Sequence, residues 1–92
     1  MNTTDLKRLL ASIGMSTFVQ YYDQLRDSDI SDQDMAERLP QHYTLKARRT
    51  RVSKARRIFR ERLELEALNA ILGASKVDEE TRKKANEILN RG

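Results

Sequence analysis

The sequence predicts an all-α fold, a small bundle of four to five helices in a single domain spanning residues 1–92. Three observations lead there. Apolar residues recur at helical spacing and nowhere alternate with the two-residue period of a strand. Ser, Thr and Asp stand where helices would start, and Gly, Pro and Asn where they would stop. A charged fraction of 35% beside an apolar fraction of 38% suits short amphipathic helices better than a sheet sandwich. A chain of this length buries only about 60 to 65% of its unfolded surface, so the core is expected to be small.

Taken in order, Thr3 or Thr4 caps a first helix whose apolar residues Leu6, Leu9, Leu10 and Ile13 share a face, and Gly14 suits the left-handed exit. Ser16 caps a second, with Phe18, Val19, Tyr22 and Leu25 on one side. The polar turn DSDIS follows. Ser31 with Asp34 forms an acidic variant of the capping box, and Ile30 and Met35 occupy the two positions of a hydrophobic staple, which marks a third helix over about 32–39. Pro40 ends it. Thr44 caps a fourth segment that meets neither Gly nor Pro until Gly73, a long basic helix over about 44–72. Last, Asp78 or Ser75 opens a helix with Val77, Thr81, Ala85, Ile88 and Leu89 on one side, ending at Asn90 and Gly92.

On a helical wheel at about 100° per residue the fourth segment does not keep one apolar face. Leu45, Val52, Ala55, Phe59 and Leu63 fall within about 80°, whereas Leu65, Leu68, Ile71 and Leu72 lie roughly opposite. The face switches near 63–65. Either the helix breaks there, or one rod packs its first half on the N-terminal helices and its second on the final helix or a second subunit. Residues 1–63 would then form the main core and 64–92 a C-terminal helical extension. That extension has too few large apolar residues for a core of its own, and 63–89 is a candidate homodimer contact.

The charge is unevenly placed. Residues 1–43 sum to −3, residues 44–62 to +8 and residues 63–92 to −1, so a weakly acidic body presents one basic element. In TLKARRTRVSKARRIFRER, seven of the nine basic residues are arginine, whose planar fork bonds phosphate and guanine edges in pairs where an ammonium acts as a point charge. Lys46, Arg49, Thr50, Ser53, Arg56, Arg57 and Arg60 occupy about 120° beside the apolar stripe, over about 21 Å of axis. Arg48, Arg51 and Arg62 border the stripe on its other side. The competing use for these arginines is to lie over the core edges and pair with Asp23, Asp27, Asp29, Asp32 and Asp34.

Other chemistry finds little support. The chain has no cysteine, which excludes disulfides, thiolate nucleophiles and Cys-based zinc sites. His42 has neither a cysteine nor a second histidine to complete a metal site and reads as a solvated turn residue. Asp32 with Asp34, and Asp78 with Glu79 and Glu80, sit at helix starts where the dipole favours them. Phe18, Tyr21, Tyr22 and Phe59 are spaced as core or core-edge residues, not as a stacking platform. With no Gly-rich phosphate loop and no nucleophile beside a base, neither an enzyme nor a cofactor is expected. MNTTDLKRLL lacks the apolar core of a signal peptide, and no apolar run approaches the roughly 18 residues that span a bilayer, so a cytoplasmic location is expected. The apolar stripe is narrow and lacks Trp, which argues against a membrane partner.

Two resemblances meet in this chain. SDQDMAERLPQHYTLKARRTRVSKARRIF, residues 31–59, resembles a helix-turn-helix DNA reader: a short capped helix, a turn, then a basic helix. That resemblance implies that Thr44, Lys46, Arg49, Thr50 and Ser53 face the major groove and that Arg56, Arg57 and Arg60 meet the backbone. DLKRLLASIGMSTFVQYYDQLRDSDISDQDMAERL, residues 5–39, resembles the opening helices of a sterile alpha motif domain, which implies protein association or, in some members, RNA binding. The expected function is therefore nucleic-acid binding, duplex DNA before RNA, through the Arg-rich helix. The alternative is an interaction module that docks this helix on an acidic surface of a partner or of another copy.

Overall fold

The computed structural model describes residues 3–91, with side chains from residue 5 onward, so capping by Thr3 or Thr4 and the role of Gly92 lie outside the described groups. Seven helices and no strand are found among the described residues: α1 (Thr3–Ile13), α2 (Met15–Gln20), α3 (Tyr22–Arg26), α4 (Asp32–Arg38), α5 (Leu45–Arg60), α6 (Glu64–Leu72) and α7 (Glu79–Leu89). The all-α expectation holds and the count of four to five does not. Two of the expected helices are each divided.

Three of the expected start signals work as local chemistry requires, whereas Ser16 does not cap the second helix: it lies inside α2, whose N-cap is Gly14 with no side-chain cap bond. Ser31 Oγ accepts the backbone N–H of Asp34 at 3.1 Å, Thr44 Oγ1 that of Ala47 at 3.1 Å, and Asp78 Oδ1 that of Thr81 at 2.7 Å. Each satisfies one of the four N–H groups that a helix start leaves unpaired. Gly14 turns the chain between α1 and α2 at φ 92, a conformation that would strain any side chain, and the Arg51 guanidinium lies close to where its Cβ would stand.

The divisions arise where tertiary packing overrides the run of helix formers. Tyr21, between α2 and α3, adopts φ −106 and ψ 19, which offsets the two halves and lets Phe18 and Tyr22 approach Phe59 together. The long fourth segment ends at Arg60. Arg62 takes a left-handed φ of 58, its N–H bonds the Phe59 carbonyl at 3.0 Å, and the Leu63 N–H bonds the Ile58 carbonyl at 2.9 Å. These two bonds form a Schellman motif, with arginine where glycine usually stands. Left-handed backbone costs an L-residue about 1–2 kcal/mol, part of which glycine returns through its freer unfolded chain. Arg62→Gly is therefore expected to raise the melting temperature by about 3–6 °C, roughly 0.5–1 kcal/mol. A calorimetric scan that shows no rise would mean that the Arg62 side chain offsets its own strain.

α5 lies at the centre. α1 packs on one of its flanks and α3 and α4 on another, α6 packs on α1, and α7 closes against α2 and α6. One apolar cluster runs through all of them, from Leu6, Leu10 and Phe18 to Val52, Ala55 and Ile58 and on to Leu68, Ile71 and Ile88. The face that residues 63–89 offered to a second subunit is thus covered by α1 and α2 of the same chain, and Ala67, Leu68 and Ile71 are fully buried. The radius of gyration, 12.3 Å, matches the roughly 12 Å of a compact chain of this length, so the C-terminal helices fold back and do not project. Two leucines assigned to apolar faces are solvent-facing: Leu45 is 41% exposed and Leu65 58%. The buried face of α5 is rotated from the expected stripe toward Ile58, which is fully buried, because α1 covers that side.

Arg91 closes the chain end onto α3 by donating to Asp23 Oδ1 at 2.7 Å. That hydrogen bond holds the Asp23 carboxyl below the ordinary aspartate range. A carboxyl with a lowered folded pKa contributes stability above its unfolded pKa of about 3.9 and loses it as pH falls through the folded value. Both partners are more than half exposed, so the effect is small. The melting temperature of Asp23→Asn should lie slightly below wild type at pH 7 and converge with it at acid pH. A gap independent of pH would exclude the pair as its cause.

Candidate nucleic-acid interface

α5 carries eight basic side chains, Lys46, Arg48, Arg49, Arg51, Lys54, Arg56, Arg57 and Arg60, and no acidic one. The fold divides seven of them into two groups with different work and leaves Lys54 half-buried at the seam with α1. The inward group caps neighbouring helices. Arg51 Nη1 donates to the carbonyls of Ser12 at 2.9 Å and Ile13 at 2.6 Å, the end of α1, with its guanidinium carbon 4.0 Å from the centre of the Tyr43 ring. Arg48 donates to the Ala36 carbonyl in the last turn of α4 and to that of Tyr43, each at 3.2 Å. Arg56 bonds the carbonyls of Leu25 at 3.3 Å and Asp27 at 3.1 Å, the end of α3, and the Asp32 carboxylate at 2.6 Å.

The physical reason is common to all three. A helix C-terminus presents carbonyls without intrahelical partners and a partial negative charge, which a guanidinium satisfies on both counts. α1, α2 and α6 have no basic residue in their own last turns, and each receives one from elsewhere. Arg51 serves α1; Lys84 of α7 donates to the Gln20 carbonyl of α2 at 3.0 Å; Arg82 of α7 reaches the carbonyl of Leu72, the last residue of α6, and those of Ala74 and Val77 beyond it. Much of the basic content of this chain therefore holds helices to one another.

The outward group matches most of the residues picked out by the sequence. Lys46, Arg49, Thr50, Ser53, Arg57 and Arg60 are all exposed, within an arc of about 100° and along about 21 Å of helix. Arg56, also expected there, is the exception: its side chain is 18% exposed and committed to α3 and Asp32. Thr50 donates to the Lys46 carbonyl at 3.1 Å, leaving its oxygen free to accept. Arg57 pairs with Glu61 at 2.7 Å, both partly in solvent, in the less favourable orientation for an i,i+4 pair. Among the described residues Lys46, Arg49 and Arg60 have no ion pair. Like charges at such spacings repel, so this face holds unrelieved positive charge.

Beside it lies an acidic edge. Asp27 and Asp29 between α3 and α4, and Asp32 and Asp34 in the first turn of α4, are exposed, and Asp27 Oδ1 accepts the Asp29 N–H at 2.9 Å in a local turn. Among the described residues no group of three or more His, Cys, Asp or Glu is placed to hold a metal ion. His42 lies against Tyr43, ring centres 4.1 Å apart, in the turn before α5. Among the described residues no helix is long and apolar enough to cross a membrane.

The capping roles of Arg48 and Arg51 were not anticipated. The signal was present in their position at the stripe edge and, for Arg51, in a first helix that ends without a cation. No protein-family model matches the chain, and comparison with curated proteins and with solved structures finds no significant similarity.

Proposed function

We propose that this chain is a small helical nucleic-acid-binding protein that contacts duplex DNA through the outward face of α5. The observation that carries this reading is the division of the basic residues: after three arginines are engaged by internal carbonyls, Lys46, Arg49, Arg57 and Arg60 still stand together on one exposed face. A regular helix with cations and hydroxyls on one side supplies backbone contacts through Lys and Arg and base-edge contacts through its exposed first turns. The arrangement of α4, a connection over 39–44, and α5 supports the likeness to a helix-turn-helix, with Thr44 to Ser53 at the leading end.

A second reading is an interaction module that uses the same face against an acidic protein surface. It is favoured by the acidic edge at 27–34 beside the basic face, since adjacent patches of opposite sign are self-complementary across a two-fold axis. The two readings separate in one pair of experiments. Fluorescence anisotropy of a labelled 20-base-pair duplex and a matched RNA hairpin, at about 50 and 200 mM salt, should show duplex binding with a log–log salt slope near −4.5 for about five phosphates. Sedimentation of the protein alone should then show one species at all concentrations. Concentration-dependent assembly that Arg49→Glu abolishes, with no binding to either nucleic acid, would establish the interaction module instead.

A further inference from the structure

The basic face does not end at the edge of α5. Along the seam between α1 and α5 lie two adjoining shallow depressions of about 340 and 400 Å³, a trough with Ser12 and Lys54 in the lining of both parts. Arg8 of α1 enters it from one wall, and Lys46, Lys54 and Arg57 of α5 from the other, against a single lining carboxylate, Asp5. The hydroxyls of Ser12, Thr44 and Thr50 complete the polar lining. Arg51, which also lines the second depression, is committed to the Ser12 and Ile13 carbonyls.

We propose that this trough seats one sugar–phosphate strand of duplex DNA. Arg8 and Lys54 then belong to the interface, Lys46, Lys54 and Arg57 meet the backbone, and Arg49 and Ser53 on the crest of α5 are left to face base edges. The inference rests on the DNA-binding reading of α5 and adds a second helix to it. Arg8, Lys54 and Arg57 gather around one depression and Lys46 stands about 12 Å along the axis from Lys54 in the other, so the charge continues along the seam as it does along a strand that carries one phosphate per unit. The row from Lys46 to Arg57 runs about 16 Å along the helix axis. One strand of B-DNA presents a phosphate about every 3.4 Å of axis, so the trough is long enough for about five. Lys54 and Arg8 have no ion pair among the described residues, leaving both available to phosphate.

Salt-dependent anisotropy on the 20-base-pair duplex tests the assignment, using full-length Arg8→Gln and Lys54→Gln with Lys83→Gln on α7 as control. Each trough variant should bind about tenfold more weakly near 0.1 M salt, with a salt slope less negative by about one. The control should match wild type, and all three should melt within a few degrees of it. Wild-type binding with a slope near −4.5 that neither Arg8→Gln nor Lys54→Gln alters would overturn the trough and leave the crest of α5 as the interface. If wild type does not bind the duplex at all, the DNA-binding reading and the trough both fail.

Discussion

Phe18→Ala is expected to lower the melting temperature by about 15–30 °C, the largest effect of any single substitution considered. The Phe18 ring is fully buried. It stacks on Phe59 with centres 5.5 Å apart and meets Tyr22 edge-on at 5.7 Å, while Tyr22 and Phe59 close the triangle at 5.1 Å. These rings join α2, α3 and α5, and burial of the third, foremost, pushes the Tyr22 hydroxyl pKa upward. Emptying such a site removes about 3–5 kcal/mol from a total of about 5–14 for a chain of this length. At about 4–8 °C per kcal/mol the loss is visible in a thermal circular-dichroism scan. Phe18→Leu, which refills most of the volume, should recover most of it. An alanine variant that melts within about 5 °C of wild type would show that the aromatic triangle is not the centre of the core.

Arg51→Met is expected to have the second-largest effect, a loss of about 2–3 kcal/mol from a residue that looks like part of a nucleic-acid face. Methionine keeps the apolar stem but removes two hydrogen bonds from a charged donor, each worth more than a neutral one, and the cation–π contact with Tyr43. It also uncovers the Ser12 and Ile13 carbonyls at the negative end of α1. Part of the loss is returned, because Arg51 Nε is buried without an acceptor in the wild type. Arg51→Lys should recover less than half, since an ammonium cannot reproduce the fork. A Met variant as stable as wild type would mean that water satisfies the α1 carbonyls equally well.

What could be read from the sequence follows the range of the forces involved. Ser31, Thr44 and Asp78 act over three residues, and all three caps stand where expected. Gly14 carried its own conformational signal. The division at 61–63 was half legible: the apolar face switches there, but the left-handed residue is Arg62, where a glycine would have marked the break. Tyr21 carries no local signal, because its departure from helix serves the contact of Phe18 and Tyr22 with Phe59 from a distant part of the chain. The same limit applies to the basic face. Periodicity placed Lys46, Arg49, Ser53, Arg57 and Arg60 together on the exposed side. It could not separate Arg56, whose partners at Leu25, Asp27 and Asp32 are at least 24 residues away, or bring Arg8 to Lys54.

The central claim is that the arginines of α5 divide by direction, the inward ones holding helices together and the outward ones meeting DNA. Melting temperature and duplex affinity measured side by side for Arg51→Met and Arg49→Met test it most directly. Arg51→Met should melt many degrees lower yet, below its transition, bind the 20-base-pair duplex within about twofold of wild type. Arg49→Met should melt with wild type and bind about tenfold more weakly. If instead Arg49→Met binds as wild type does, or both substitutions act on stability alone, the outward face is not a DNA interface.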